Sequence, residues 1–159
     1  MTYNESDVQR ILQEELEALK DRISANIDNS GQRASGYTQE SMSVDVQGTA
    51  GVLSGRRAFS TLERGSMPWA KQPRIVPKWF ADIIQQWLID KNLSDKLNAW
   101  AVAAKIIREG SALHREGGRA DIYSPEIQTA LQNIGARLDD YFVTLVADSL
   151  VINQEPIQA

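Results

Sequence analysis

From Ser124 to about Ser149 apolar residues return every three or four positions: Ile127, Leu131, Ile134, Leu138, Tyr141 or Phe142, and Leu145. That period draws one face of an α-helix. Its start is written in three consecutive residues: a capping Ser124, a first-turn Pro125, and Glu126, whose charge suits the positive end of the helix dipole. At about 1.5 Å per residue a helix over 125–149 spans roughly 37 Å, close to the width of a small domain. The chain has 159 residues, a length that fits one domain on the usual range of about 100–200. The remaining elements must therefore pack along this rod.

A second stripe lies at the other end. Val8, Ile11, Leu12, Leu16, Leu19, Ile23 and Ile27 predict a helix over 6–28, with Ser6 and Gln9 spaced as a capping box. The seam is narrow, as for a helix that packs on one neighbour or on another subunit. Residues 29–41, rich in Gly, Ser, Asn and Gln, read as a loop. Alternation over Ser41–Gln47 predicts a half-buried strand, and Gly48–Gly51 a turn. Val52-Leu53 and Ala58–Glu63 then suggest one or two returning strands, so that a small antiparallel sheet occupies 41–64.

A proline-punctuated loop, 65–74, leads to a helix over 76–91. Trp79, Phe80, Ile83, Ile84, Trp87 and Leu88 form its paired apolar stripe, and Pro77 falls in its first turn. Ser94 can cap a helix over 95–109 with Leu97, Trp100, Ala104 and Ile107 inward and Gly110 at its end. The short link between these two helices makes them roughly antiparallel. The fold class is α+β, a small antiparallel sheet packed with four helices, the first and last of them long. Residues 150–159 read as a tail.

Charge is unevenly spread. The net charge is −4, yet residues 56–78 hold six bases (Arg56, Arg57, Arg64, Lys71, Arg74, Lys78) against Glu63 alone. Residues 1–29 are net −4 and residues 121–159 net −5. Acidic ends and a basic middle can orient head-to-tail association, although solvated faces of ordinary elements produce the same pattern. The polar, acidic start Met1–Asp7 is the opposite of a secretory leader, and no apolar run approaches the roughly 18 residues of a membrane span.

No constellation of catalytic or metal-binding residues stands out. There is no cysteine and one histidine. His114 therefore lacks a partner for a metal and would be the sole base available to a Ser/His/Asp triad. Gly117-Gly118 is too short to cradle a phosphate. The carboxylate pairs Glu14-Glu15 and Asp139-Asp140 fall on polar helix faces. Trp79, Trp87 and Trp100 lie on apolar stripes and are expected in the core, whereas Trp69, in the proline loop, is placed as a contact anchor. No cofactor, metal or catalytic residue is expected, and the chain reads as non-enzymatic. The basic segment could also serve a small DNA-binding or regulatory module.

The order of these features is familiar. A leading helix is followed by Ala34-Ser35-Gly36-Tyr37-Thr38-Gln39-Glu40-Ser41, by Gly51-Val52-Leu53-Ser54-Gly55-Arg56-Arg57, and by Leu62-Glu63-Arg64-Gly65. Then come the proline loop, the Trp-rich helix, Ala99–Ile106 closing in Arg108-Glu109-Gly110-Ser111, and Asp121-Ile122-Tyr123-Ser124. Over about residues 20–150 the chain resembles the tail-completion or head–tail connector (neck) proteins of tailed bacteriophages, in the version found in phages of Bacteroides-type hosts. The resemblance implies a structural subunit made in the host cytoplasm and assembled into the virion neck as a ring of identical copies. Its partners would be its own copies, adjacent portal, neck or tail proteins, and packaged DNA touched non-specifically, with no membrane involved. The residues placed to contact subunits or channel DNA are Arg56, Arg57, Arg64, Trp69, Lys71, Arg74, His114, Arg115 and Arg119. The Leu62–Gly65 segment would be contact surface. The long final helix departs from compact family members, which end near a short strand or helix.

Overall fold

A computed structural model describes residues 3–152, except for the side chains of Arg57, Val151 and Ile152. The predicted tail lies outside them from Asn153 onward. The chain is α+β. Helix α1 (Glu5–Asn29) is followed by a one-turn helix α2 (Tyr37–Glu40), strands β1 (Ser43–Gln47) and β2 (Ala50–Ser54), and a 3₁₀ turn (Arg57–Ser60) running into α3 (Thr61–Arg64). Helices α4 (Lys78–Asp90), α5 (Ala99–Glu109), α6 (Ala112–Arg115) and α7 (Ser124–Ile152) complete it.

Helix α1 organises the larger core. Every apolar residue of its predicted stripe is buried, and Glu15 with them. Asn4, rather than Ser6, caps it, its side chain accepting the Ser6 N–H at 3.1 Å. One flank of the stripe meets the β1–β2 hairpin, whose antiparallel register pairs Val44 with Leu53 and Val46 with Gly51. A Cβ on Gly51 would lie 2.6 Å from Leu16 Cδ1, so a larger residue there would push the Leu16 side chain aside where the hairpin meets α1. The other flank meets α7, which runs antiparallel: Asn26 bonds Glu126, Glu15 bonds Asn133 and Arg137, and the Asn4 N–H donates to the Tyr141 hydroxyl. Leu16, Leu19, Ile23, Ile27, Met42, Leu62, Ile122 and Ala130 fill the space between.

The predicted strand over Ala58–Glu63 is helical instead. Its six residues show both a period of two and a helical spacing between Phe59 and Leu62–Glu63, and short runs of this kind cannot be separated by pattern. Glu63 decides the outcome, because its carboxylate is buried beneath α7. The α7 stripe is also rotated from expectation. Ala130 is buried, while Leu131 is 59% exposed. The small Ala130 lets α7 close on α1, and the larger Leu131 is left outside. Leu131→Arg is therefore expected to change stability by less than about 0.5 kcal/mol, as at other open surface sites, in urea denaturation.

A second, smaller core holds α4 against α5. Ile84 and Leu88 pack on Ala99 and Ala103, with Val76, Phe80, Leu93, Val102 and Ile106 around them. Helix α5 begins at Asn98, whose side chain accepts the N–H groups of Trp100 and Ala101 at 2.9 and 3.1 Å. Asn98 displaces Ser94 as the cap, and Pro77 precedes α4 rather than entering it. Of the four predicted inward residues of α5, Ile107 is buried while Leu97 and Trp100 are exposed.

Candidate interaction surface

The two cores are joined by backbone. Ser111 N–H donates to the Ser66 carbonyl at 2.8 Å, Ser66 N–H to the Ser111 hydroxyl at 2.9 Å, and Trp69 N–H to the Ile107 carbonyl at 3.0 Å. This stitching lays the 65–69 loop along the end of α5 and brings α6 against α3. Lys91 Nζ adds a link to the loop after α1, donating to the Gly31 and Arg33 carbonyls. An open groove of about 570 Å³ lies between the α4–α5 hairpin on one side and α3 with α6 on the other. Ile83, Trp87, Leu97 and Ile106 line its hairpin wall, and Ala112 and Leu113 the opposite one. Its charged lining residues are Lys105 and Arg115, both basic.

The groove exists because the paired stripe of α4 serves two purposes. The Ala81, Ile84 and Leu88 row is buried. The Trp79, Ile83 and Trp87 row faces out, with exposures of 58, 56 and 38%. Trp79, Trp87 and Trp100 are thus not core residues. A two-helix hairpin covers one row of each helix, and among the described residues no further helix or strand lies over the second row. Trp69 moves the opposite way from expectation: it is half-buried, its ring 5.8 Å from Trp79 and 5.1 Å from Phe80. Trp69→Ala is expected to cost about 2 kcal/mol in chemical denaturation through lost ring packing.

The basic residues differ in their surroundings. Arg56 lies 5.9 Å from the Tyr37 ring centroid, and its N–H donates to the Ser41 hydroxyl. Arg64, Lys71 and Arg74 are exposed and, among the described residues, without an ion-pair partner. Lys78 pairs with Asp82 at 2.8 Å. Arg115 donates to the Gly110 carbonyl at 2.8 Å and lies 3.8 Å from Glu109. Arg119 forks onto Asp121, which holds that carboxyl below its ordinary pKa. His114 is half-buried on α6, its N–H on the Ser111 hydroxyl at 3.3 Å, and belongs to the stitching between the cores. The side chain of Arg57 lies outside the described part.

Glu63 is the residue that sequence reasoning misplaced most. The resemblance places it in a contact surface, yet Leu62 and Glu63 are both buried. One Glu63 oxygen accepts the N–H groups of Ile122, Tyr123 and Ser124 at 3.0, 2.7 and 2.9 Å; the other accepts the Ser124 hydroxyl. Helix α7 is therefore capped by a carboxylate from about sixty residues upstream, not by Ser124 itself. Burial pushes the Glu63 carboxyl up, but these hydrogen bonds favour the ionised form and bring it below the ordinary glutamate value.

Among the described residues no group of three or more His, Cys, Asp or Glu could hold a metal ion, and no helix is long and apolar enough to cross a membrane. Comparison with protein-family models, with curated proteins and with solved structures finds no match to this chain.

Proposed function

We propose that the protein is a non-enzymatic structural subunit that works by packing against other subunits, as a ring of identical copies at the neck of a tailed-phage virion. The observation that carries the packing role is the uncovered apolar surface. Ile83, Trp87 and Leu97 are exposed along one groove, with Trp79 exposed in the same row of α4, and apolar surface gathered in this way marks an interaction site. The virion setting rests on the order of sequence motifs and on the acidic ends flanking a basic middle. Exposed Arg56, Arg64, Lys71 and Arg74 would meet either an acidic neighbour or the phosphates of passing DNA.

The deciding measurement is the mass of the purified protein in solution, alone and mixed with the portal and tail proteins encoded beside it. A large closed oligomer in either setting is the expected result. A strict monomer in both that binds duplex DNA with a steep salt dependence would replace this reading by a DNA-binding or regulatory module, which the same exposed bases would serve.

A further inference from the structure

Helix α7 is longer than the helix it packs on. Its last described contacts with the α1 end are at Tyr141 and Phe142, which meet Asn4 and Tyr3. Residues 143–152 extend α7 for about 15 Å beyond these contacts at the helical rise, with Leu145 and Asp148 half-buried on one side. On this overhang Val143, Val146 and Leu150 are 68, 57 and 66% exposed. Their spacing of three and four puts them in one row. Asp139 and Asp140 lie in the turn before this row and Asp148 within the segment, and residues 138–152 hold no Lys or Arg.

The groove beside α4 complements this apolar row in shape, and its bases complement the acids beside the row. It is concave where the overhang is convex, it is lined by Ile83, Trp87, Leu97 and Ile106, and its charged residues are Lys105 and Arg115. Its volume of about 570 Å³ falls within the roughly 300–1,000 Å³ of sites that take up a ligand. The two surfaces cannot meet within one molecule. The first turn of α7 is held to α3, a wall of the groove, by Glu63. Val143 lies nineteen residues further on, about 28 Å away along a continuous helix.

We infer that the overhanging end of α7, residues 143–152, seats its Val143–Val146–Leu150 row in the α4–α5 groove of a second copy of this chain. Because the two surfaces differ, the contact is head-to-tail, and repeating it generates a ring or a filament rather than a two-fold dimer. The basic groove rim meets the acidic helix end, which fixes direction as well as adding attraction. This inference rests on the subunit-packing reading above and specifies which surfaces carry it.

The absence of cysteine makes the test direct. Val146→Cys supplies one partner; Ile83→Cys, Leu97→Cys and Ala112→Cys, on three parts of the groove, supply the other. Each is oxidised alone and mixed at about 100 μM, enough to populate a micromolar contact. The expected result is a disulfide-linked dimer in the tail–groove mixtures, weak or absent with either variant alone. Adding Leu150→Arg to the tail variant should cut its yield about tenfold or more, because a charge set in an apolar contact raises Kd by at least that factor. Efficient linking of Val146→Cys to itself would mean that the overhangs pair with each other and would overturn the inference. No linking at any groove position while the wild-type protein assembles would overturn it too, leaving the ring reading intact. A wild-type protein that is monomeric alone and with portal and tail proteins, and gives no linked dimer, would end both.

Discussion

Glu63→Ala is expected to destabilise the protein by about 3 kcal/mol, lowering Tm by roughly 6–12 °C for a chain of this length. The cause is specific. Three N–H groups at the start of α7 lose their acceptor in a place shielded from water, and the Ser124 hydroxyl loses a fourth bond. A hydrogen bond to a charged group contributes about 1.5–3 kcal/mol and an N-cap about 1, and because bonds to one carboxylate do not add in full, loss of the set comes to the upper end of that range. Glu63→Gln keeps one carbonyl oxygen as acceptor and should lose about half as much.

The same carboxylate gives acid lability a defined sign. Its folded pKa lies below its unfolded one. Its contribution is therefore complete above the ordinary glutamate value of about 4.3 and is lost as pH falls through the folded value. The stability gap between wild type and Glu63→Gln should be constant from pH 7 to about 5 and shrink on further acidification. A gap that stays constant down to pH 3 would mean that Glu63 acts through shape and not through charge.

What could be read before the structure follows from what periodicity encodes. In α1 every stripe residue is buried because the helix is flanked on two sides, so that apolar and covered are the same set there. In α4 they are not. Periodicity names Trp79, Phe80, Ile83, Ile84, Trp87 and Leu88 as one broad face, but which row is covered depends on the width of α5, which no local pattern contains. The exposed row is the candidate site, so the surface on which the proposed function rests is hidden inside a correct helix assignment. In α5 the covered row is Ala99 and Ala103, chosen because small side chains allow Leu88 to approach. Large Trp100 and Leu97 drew the sequence reading away from it. Glu63 was opaque for a different reason: a lone acid among bases looks like surface, and its partners lie about sixty residues downstream. One signal was present. Gly65 and Gly110 each follow a predicted element and precede a serine, a symmetry that becomes meaningful once Ser66 and Ser111 are seen to bond each other.

Those two glycines carry the other large effect. Gly65 has φ +69° and ψ −177°, and Gly110 φ +80° and ψ 176°, a backbone region that side-chain-bearing residues essentially never occupy. Space is closed as well. A Cβ on Gly65 would lie about 2.5 Å from the His114 backbone nitrogen, and one on Gly110 would lie 2.7 Å from the Ser66 carbonyl oxygen. Backbone atoms cannot step aside as a flexible side chain can. Gly65→Ala or Gly110→Ala is thus expected to cost about 3 kcal/mol or more, the sum of conformational strain and overpacking. Gly117→Ala is the internal control: its φ is also positive, +91°, but nothing lies within 4 Å, so strain alone, about 1 kcal/mol, remains. The site of damage can be read as well as its size. Trp69, Trp79, Trp87 and Trp100, all four tryptophans of the chain, belong to α4, α5 or the loop stitched to them, whereas α1 and α7 provide most of the helical signal in circular dichroism. If the Ser66–Ser111 junction is what couples the two cores, Gly65→Ala should separate the fluorescence transition from the dichroism transition in urea. Coincident transitions at lower urea would instead mean that α3 and Lys91 suffice to keep the cores one cooperative unit.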